Sequence, residues 1–253
     1  MWLPTVRYVP LLETGPLCAQ LDLFLMQIHS FDVIGFASRY ACPAFWERMQ
    51  ALYGGQDGAT RVLEDAGVKF AAPFAFIPQV RDKLSAFKDR IIVDETATDL
   101  SDVLSTTPSG ASVLCVAPVF EDLPEPKPLE LMMNKLSFRG LDVTRAPGYM
   151  VCAGDSRLFQ RELEELRDGQ MDVVGITSQL EVQGLHHMLN NSWDNLPSDV
   201  SVVGNGRETA AGAAALGLEA TVLGTKVASP EDFVVALAHH CSSKRGLQIY
   251  HDH

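Results

Sequence analysis

The stretch "SDVSVVGNGRETAAGAAALGLEATVLG", residues 198–224, decides the fold class. A β-branched run leads into a turn with two glycines, an alanine-rich run follows, and a second β-rich run closes the stretch. Strand, turn, helix and strand in this order are typical of parallel strands joined by a crossover helix. The stretch therefore predicts an α/β fold.

The beginning of this plan occurs twice in the chain. "FDVIGFASR" at 31–39 and "MDVVGITSQ" at 171–179 share an Asp, two β-branched residues, a Gly and a Ser. The match pairs Ser38 with Ser178. Internal repetition of this kind predicts two α/β halves built on one plan.

The repeat continues downstream, where "AFIPQVRDKL" at 75–84 aligns with "SVVGNGRETA" at 201–210. This alignment pairs Arg81 with Arg207. The first half carries the additional piece "GGQDGATRVLEDAG", residues 54–67, which we expect to form a surface loop and a short helix.

Two extended segments flank the first half. "TVRYVPLL" at 5–12 and "LDVTRAPGYMV" at 141–151 predict a two-stranded hinge between the halves. "SPEDFVVAL" predicts a late helix, because Ser229 is a good cap and Pro230 suits the first helical position. The expected domains are a first connector strand, a first lobe, a second connector strand and a second lobe, at 1–12, 13–140, 141–152 and 153–253.

Composition narrows the partners. The chain has 253 residues and a formal net charge of −12, and an acidic surface repels nucleic-acid phosphates and anionic membranes. We therefore expect no nucleic-acid partner, and, because the chain has no run of eighteen apolar residues, no membrane span. The odd number of scattered cysteines predicts reduced thiols, and the N-terminus has no readable secretory signal.

The glycine turn "GNGRETAAG" has three interpretations. A dinucleotide site is the first, but the third glycine of that fingerprint falls on Thr209 and no acid closes a second strand at the required distance. Turn geometry alone accounts for the glycines, but not for Arg207 and Thr209 at an exposed helix start. The third interpretation is a site for an anionic group of another kind.

Thr177 and Ser178 are predicted to lie where a strand ends. Ligands of open parallel sheets bind beyond such ends, and a serine there is equally suited to cap the next helix. The histidine pairs at 186–187 and 239–240 suit shared metal ligation poorly, because neighbouring residues on a helix point about 100° apart. We expect no metal site.

The second half resembles the uroporphyrinogen-III synthase family. That family has an Asp-led strand ending in Thr-Ser, a strand entering Gly-x-x-Thr-Ala, a Gly-Leu segment and a final helix. The matching residues are Asp172, Thr177, Ser178, Gly206, Thr209, Ala210, Gly217 and Leu218. The resemblance is specific for 141–240 and weaker for 31–140.

The resemblance implies two flavodoxin-like parallel-sheet lobes joined by a two-stranded connector. In the family, a strand and a helix precede the first connector strand, whereas this chain begins at "VRYVPLL". It also implies that the C-terminal lobe lacks its usual opening β-α unit. In the first half, the Gly-x-x-Thr-Ala pattern is replaced by "PQVR" at 78–81.

The family converts hydroxymethylbilane, a linear tetrapyrrole with eight carboxylates, into uroporphyrinogen III without a cofactor. Water is lost and ring D is inverted. By resemblance, Tyr149 is the connector tyrosine and is expected to donate a proton or hydrogen bond to the departing hydroxyl. Arginines and helix starts suit carboxylate binding. The expected substrate-binding residues are Ser38, Arg39, Arg81, Thr177, Ser178, Gly206, Arg207 and Thr209, with Arg145 as a further cation.

Two other functions remain open on sequence grounds. One is a non-catalytic, two-lobed anion-binding relative of the same fold. The other is a nucleotide-dependent reductase that uses "GNGRET" as a cofactor turn. The expected location is the cytoplasm, or the plastid if a targeting segment precedes residue 1.

Overall fold

The computed structural model of the protein describes residue 1, residues 3–222 and residues 230–244. The chain divides into two compact units. The N-terminal unit comprises residues 8–121 and 125–151. The C-terminal unit comprises residues 1–7, 122–124 and the chain from 152 onward.

Short strands alternate with helices along most of the described chain, as the sequence predicts. The strands are β1 (Val6–Pro10), β2 (Val33–Phe36), β3 (Lys69–Ala71), β4 (Ile91–Ile92), β5 (Ser112–Glu121), β6 (Asp142–Ala153), β7 (Val173–Ile176), β8 (Ser201–Gly204) and β9 (Thr221–Val222). The helices are α1 (Pro16–Met26), α2 (Ala41–Tyr53), α3 (Gln56–Ala66), α4 (Ile77–Lys83), α5 (Leu100–Val103), α6 (Lys127–Phe138), α7 (Gln160–Arg167), α8 (Gln179–Met188), α9 (Arg207–Ala215) and α10 (Pro230–Lys244).

The sheets are dominated by parallel pairs. In the described residues, one sheet has the order β1-β6-β5-β2-β3-β4 and the other the order β7-β8-β9. Strand β2 pairs in parallel with both β3 and β5, and β3 pairs in parallel with β4. Strand β8 pairs in parallel with both β7 and β9. The predicted mixed α/β fold with parallel strands is confirmed.

The repeat is visible in the three-strand order of each half. Strands β2, β3 and β4 are successive parallel neighbours, and so are β7, β8 and β9. The glycines shared by the two halves have the same structural task. A Cβ on Gly35 would overlap the side chain of Leu100, and a Cβ on Gly175 would overlap those of Leu237 and Phe233. Each glycine therefore allows a helix to pack closely on its strand.

The two predicted extended segments are both strands. Strand β1 is the neighbour of β6, and β6 continues the larger sheet through β5. In the C-terminal unit, Arg7 donates from Nε to the carbonyl of Ala153 at 3.1 Å, and Gly154 donates to the carbonyl of Thr5 at 2.8 Å. The flavodoxin-like description of the lobes, the connector role and the domain boundaries stay predictions.

Each unit has its own apolar core. The N-terminal unit buries Val33, Leu100 and Cys115 between its sheet and helices α5 and α6. The C-terminal unit buries Leu163, Ile176 and other apolar residues from α7, α8 and β8. Among the described residues, we find no helix whose length and apolar character would suit a membrane crossing.

The additional piece in the first half contains the expected helix, the eleven-residue α3, but Ala59 and Leu63 are fully buried, so the piece is part of the packed unit rather than a surface loop. The pairing of Arg81 with Arg207 also fails. Arg207 is the first residue of α9, whereas Arg81 lies in the last turn of α4. The predicted cap Ser229 lies outside the described residues, as do residues 223–228 and 245–253.

The alignment of 75–84 with 201–210 is wrong because it treats the apolar run at the start of the first segment as a strand. Residues Phe74–Phe76 form a 3₁₀ turn after Pro73, and the strand that corresponds to β8 is the earlier β3. Pro78 lies in the first turn of α4, a position that proline favours. That proline was the available signal for a helix start at this point.

Helix α8 packs against the backbone of the N-terminal segment, which predicts a sensitive glycine. A Cβ on Gly184 would overlap the backbone carbonyl of Thr5, which cannot rotate away. We expect Gly184→Ala to lower the free energy of unfolding by about 1–3 kcal/mol, measured by chemical denaturation.

Gly175→Ala is the matched control for this substitution. The atoms nearest to a Cβ there belong to the side chains of Leu237 and Phe233, which can adjust. We expect a smaller loss for Gly175→Ala. Wild-type stability in Gly184→Ala would contradict the close packing of α8 on this segment.

Candidate functional site

The carboxyl ends of β7 and β8 lie side by side in the C-terminal unit. Ile176 is opposite Gly204 in the parallel register. Asn205 extends the pairing, since its N–H donates to the carbonyl of Ile176 at 2.8 Å. The residues after each strand therefore lie at one edge of the sheet. These residues are Thr177 and Ser178 after β7, and Gly206 and Arg207 after β8.

Thr209 connects the two segments. Its hydroxyl donates to the carbonyl of Thr177 at 3.3 Å, and only 3% of the residue is exposed. The structure thus brings Thr177, Ser178 and Thr209 together, but the expectation that Thr209 is exposed was wrong. Because its hydroxyl is buried and engaged, Thr209 holds the start of α9 beside the end of β7.

Ser178 and Thr177 already have partners of their own. Ser178 is the N-cap of α8 and accepts from the N–H of Glu181 at 3.3 Å. The N–H of Thr177 donates to one Glu181 oxygen at 2.7 Å, and its hydroxyl lies 2.9 Å from both. A carboxylate of the protein itself therefore occupies these donors. Sequence reasoning missed Glu181, although "SQLE" at 178–181 is a capping-box pattern.

Arg207 is the exposed cation at this edge. It is the first residue of α9, and Gly206 before it has a φ of 108°, which favours glycine. In the described part of the chain no carboxylate forms an ion pair with Arg207. The first N–H groups of a helix lack intrahelical acceptors and carry partial positive charge. The guanidinium and the helix start therefore favour the same kind of ligand, an anion.

In the N-terminal unit, a hydrogen bond joins Ser38 to Tyr149. The two hydroxyl oxygens are 2.7 Å apart, and either can be the donor. Ser38 follows the end of β2 by two residues, and Tyr149 lies within β6, so the bond joins segments 111 residues apart. The expected tyrosine and the expected serine are therefore direct partners.

Tyr149 lies in a cluster of aromatic rings. Its ring centroid is 6.1 Å from that of Tyr8 and 5.8 Å from that of Tyr40, and the rings of Tyr8 and Tyr40 stack at 4.2 Å. Burial raises the pKa of Tyr149 to about 12, while the Ser38 hydrogen bond opposes the shift. The phenol is therefore neutral across the physiological range and retains its proton.

The remaining predicted cations have different surroundings. Arg39 is exposed and lies over the Tyr40 ring at 5.1 Å, and Arg81 is exposed on α4. Arg145 pairs with Glu125 at 2.8 Å and also donates to the carbonyl of Pro118 at 2.6 Å. Arg145 is thus largely neutralised, whereas no ion pair involves Arg39 or Arg81 within the described residues.

A cavity of about 320 Å³ adjoins the aromatic cluster in the N-terminal unit. Its walls are mainly apolar, and its charged residues are Glu13, Glu47 and Arg48. Arg48 is already bound by both carboxylate oxygens of Asp22, at 2.6 and 2.5 Å. Tyr149 also lines this cavity, and the two glutamates disfavour a carboxylate there, so the cavity suits an uncharged part of a ligand.

Within the described ranges, the thiols and histidines lack the features of a nucleophile or a metal centre. Burial raises the pKa of both Cys42 and Cys115 to about 12, so neither forms a thiolate readily near neutral pH. His186 packs on Trp193 with centroids 4.8 Å apart. A search of the described residues found no group of three His, Cys, Asp or Glu side chains that could hold a metal ion.

A profile of the family described as "Uroporphyrinogen-III synthase HemD" matches residues 5–232. The chain belongs to this family. The match covers both halves, including the first, where the motif resemblance is weaker. The uroporphyrinogen-III synthase family is associated with porphyrin and heme biosynthesis, so membership supports a role in tetrapyrrole biosynthesis.

Two solved structures of the family share the fold. A mutant uroporphyrinogen III synthase from Thermus thermophilus is 17% identical, with a TM-score of 0.58 over 96% of this chain and 88% of that one. A uroporphyrinogen-III synthetase from Helicobacter pylori is 13% identical, with a TM-score of 0.56 over 94% of this chain and 92% of that one. A search of curated proteins returned no match. At these identities the likeness concerns the fold alone.

The buried tyrosine predicts a distinct alkaline titration. The chain has five tyrosines, and we expect the Tyr149 step near pH 12, above the ordinary value of 10. The tyrosinate absorbance of the wild type minus that of Tyr149→Phe isolates this step. A difference step at pH 10 would contradict the burial. Because the unfolded chain ionises first, we also expect the wild type to lose stability between about pH 10 and 12, and Tyr149→Phe to lose less.

Proposed function

We propose that this protein is a uroporphyrinogen-III synthase. It cyclises hydroxymethylbilane to uroporphyrinogen III with loss of water and inversion of ring D. The main support for the proposal is the family match over residues 5–232, nearly the whole chain. This match favours the synthase over a non-catalytic anion-binding relative.

Carboxylate binding is the proposed task of the edge at the ends of β7 and β8. Hydroxymethylbilane has eight carboxylates, and a helix start with an exposed arginine suits one of them. A cation beside a helix N-terminus is unfavourable for the helix itself, by about 0.3–1 kcal/mol. Arg207 therefore gains little from its position without an anion. Gly206 keeps this approach open because it has no side chain. Arg39 and Arg81 are proposed as further carboxylate ligands.

Thr177 has the donors for a second carboxylate, but Glu181 occupies them at 2.7–2.9 Å. A substrate carboxylate binds there only if the side chain of Glu181 moves aside. Both acceptors are carboxylates, so the donors exchange one partner for another of the same chemistry. Ser178 is proposed to contribute through the N-terminus of α8, which it caps.

Tyr149 is the proposed catalytic residue. Loss of water breaks a C–O bond of the bilane, the electron pair leaves with the oxygen as hydroxide, and the bilane itself gives up the second hydrogen of the water when the ring closes. A hydrogen bond from the phenol stabilises the negative charge that develops on this oxygen. With a pKa of about 12, Tyr149 holds its proton too tightly for an efficient general acid near neutral pH. We therefore assign it hydrogen-bond donation rather than complete proton transfer.

The reaction requires control of geometry more than chemical activation. The linear bilane closes without an enzyme to the uninverted isomer, so the protein has to favour one arrangement of the chain ends. Holding reacting groups in place contributes about 7–11 kcal/mol in well-oriented systems. Several carboxylate contacts and one hydrogen-bond donor provide this without a cofactor.

The product isomer tests the proposed function. The full chain is incubated with freshly generated hydroxymethylbilane, the products are oxidised to porphyrins, and isomers I and III are separated by chromatography. We expect mainly isomer III, against isomer I in a parallel reaction without protein. Isomer I alone would overturn the proposal, and tight nicotinamide-cofactor binding would favour the reductase instead.

Arg207→Ala tests the carboxylate contact. Loss of a charge-assisted hydrogen bond corresponds to about 1.5–3 kcal/mol. We expect KM for hydroxymethylbilane to rise roughly tenfold or more with little change in kcat, because the contact persists from substrate to transition state. Arg167→Ala removes the same charge from the last turn of α7, ahead of β7, and should leave KM unchanged. Unaltered KM in Arg207→Ala would exclude this role.

A further inference from the structure

The hydrogen bond between Ser38 and Tyr149 assigns the serine a different task from the one its sequence context implies. We infer that Ser38 is a positioning residue, which orients the hydroxyl of Tyr149 for the reaction, rather than a ligand of a substrate carboxylate. The inference rests on the proposed function and identifies the group through which Tyr149 is controlled.

The repeat shows that Ser38 is free for this task. Its counterpart Ser178 caps α8. Helix α2 begins only at Ala41, with Tyr40 at the N-cap and no side-chain cap. Ser38 therefore lies outside the helix start, and its hydroxyl reaches Tyr149 at 2.7 Å instead.

The neighbouring rings hold the ring of Tyr149 in place, but they do not orient its O–H bond. Only 4% of Tyr149 is exposed, and the rings of Tyr8 and Tyr40 lie about 6 Å from its own. Packing of this kind fixes the position of the ring but not the torsion of its O–H bond. A hydrogen bond to a neighbouring hydroxyl fixes that torsion.

The direction of the bond matters for the reaction. Each hydroxyl has one hydrogen and two acceptor lone pairs. When Tyr149 donates to the departing oxygen of the substrate, its own oxygen is free to accept from Ser38. Donation by Ser38 polarises the phenol and strengthens the hydrogen bond that the phenol makes. Ser38 therefore acts through Tyr149 without touching the substrate.

A carboxylate ligand would compete with Tyr149 for the hydroxyl hydrogen of Ser38. It would accept the one hydrogen that Ser38 has and leave the buried Tyr149 oxygen without that donor. Leaving a buried polar atom unsatisfied costs about 1–3 kcal/mol. The two roles predict different kinetic effects, because the first alters kcat and the second alters KM.

A double-mutant cycle tests the inference, with isomer III formation as the readout. We expect Ser38→Ala to lower kcat roughly tenfold, about the effect of one hydrogen bond, with KM unchanged. Ser38→Thr keeps a hydroxyl and should recover much of the rate. Tyr149→Phe should lower kcat about a hundredfold. Adding Ser38→Ala to Tyr149→Phe should cause no further loss. Ser105→Ala, at an exposed serine of the same unit, serves as the control.

Two kinetic outcomes would overturn the inference. One is a rise in KM with unchanged kcat in Ser38→Ala, which would make Ser38 a substrate ligand. The other is a full Ser38→Ala effect in the Tyr149→Phe background, which would separate the two residues. If the alanine variant does not fold, Ser38→Cys replaces it, because a thiol is similar in size but a weak donor.

An alkaline titration separates this inference from the proposed function. The Ser38 hydrogen bond lowers the pKa of Tyr149, so Ser38→Ala should move the tyrosinate step to higher pH than in the wild type. This readout needs no substrate. An unmoved step would overturn the positioning role even in an active enzyme. A moved step in a protein that forms no isomer III would retain the contact and reject the proposed function.

Discussion

Parallel pairing of β7 with β8 is the constraint that brings Thr177 and Ser178 to the same sheet edge as Gly206 and Arg207. Parallel strands end at the same side of a sheet, so residues that follow them meet although they are distant in sequence. Ile176 opposite Gly204 sets the register, and Thr209 adds a hydrogen bond to the carbonyl of Thr177. A shift of one residue would reverse the faces of every side chain in β8 and separate α9 from this edge.

The two halves share one plan, but their paired serines make different contacts. Glycine in the middle of β2 and of β7 allows a helix to cover each strand, so the scaffold is preserved. After the strands, the paired serines differ. Ser178 stabilises a helix start, whereas Ser38 supports a buried phenol. The later start of α2 relative to its strand is the local change that allows this difference.

Much of the scaffold could be predicted because local sequence patterns specify its strands and helices, whereas the contacts within the candidate site were harder to predict. Apolar runs and glycines locate β2, β7, β8 and α9, but the run at 74–76 is apolar and lies in a 3₁₀ turn. Ser38 and Tyr149 are 111 residues apart, and their contact depends on the order β6-β5-β2 in the folded sheet. Glu181 could have been found from the capping-box spacing. However, that pattern predicts only a helix start, and the bonds to Thr177 depend on the side-chain conformation.

The charge of the chain explains why the proposed carboxylate binding depends on short-range donors. At a net charge of −12, the chain repels a polyanion at long range, yet salt screens exposed charges beyond about 8–10 Å. Several of its arginines are neutralised locally, such as Arg48 by Asp22 and Arg145 by Glu125. The proposed carboxylate binding therefore depends on Arg207, Arg39 and Arg81, which have no ion pair among the described residues, and on the N–H groups at the start of α9. Carboxylates that bind near Tyr149 raise the pKa of its phenol further. In the proposed reaction, a bound substrate therefore keeps the Tyr149 proton in place until the departing oxygen accepts its hydrogen bond.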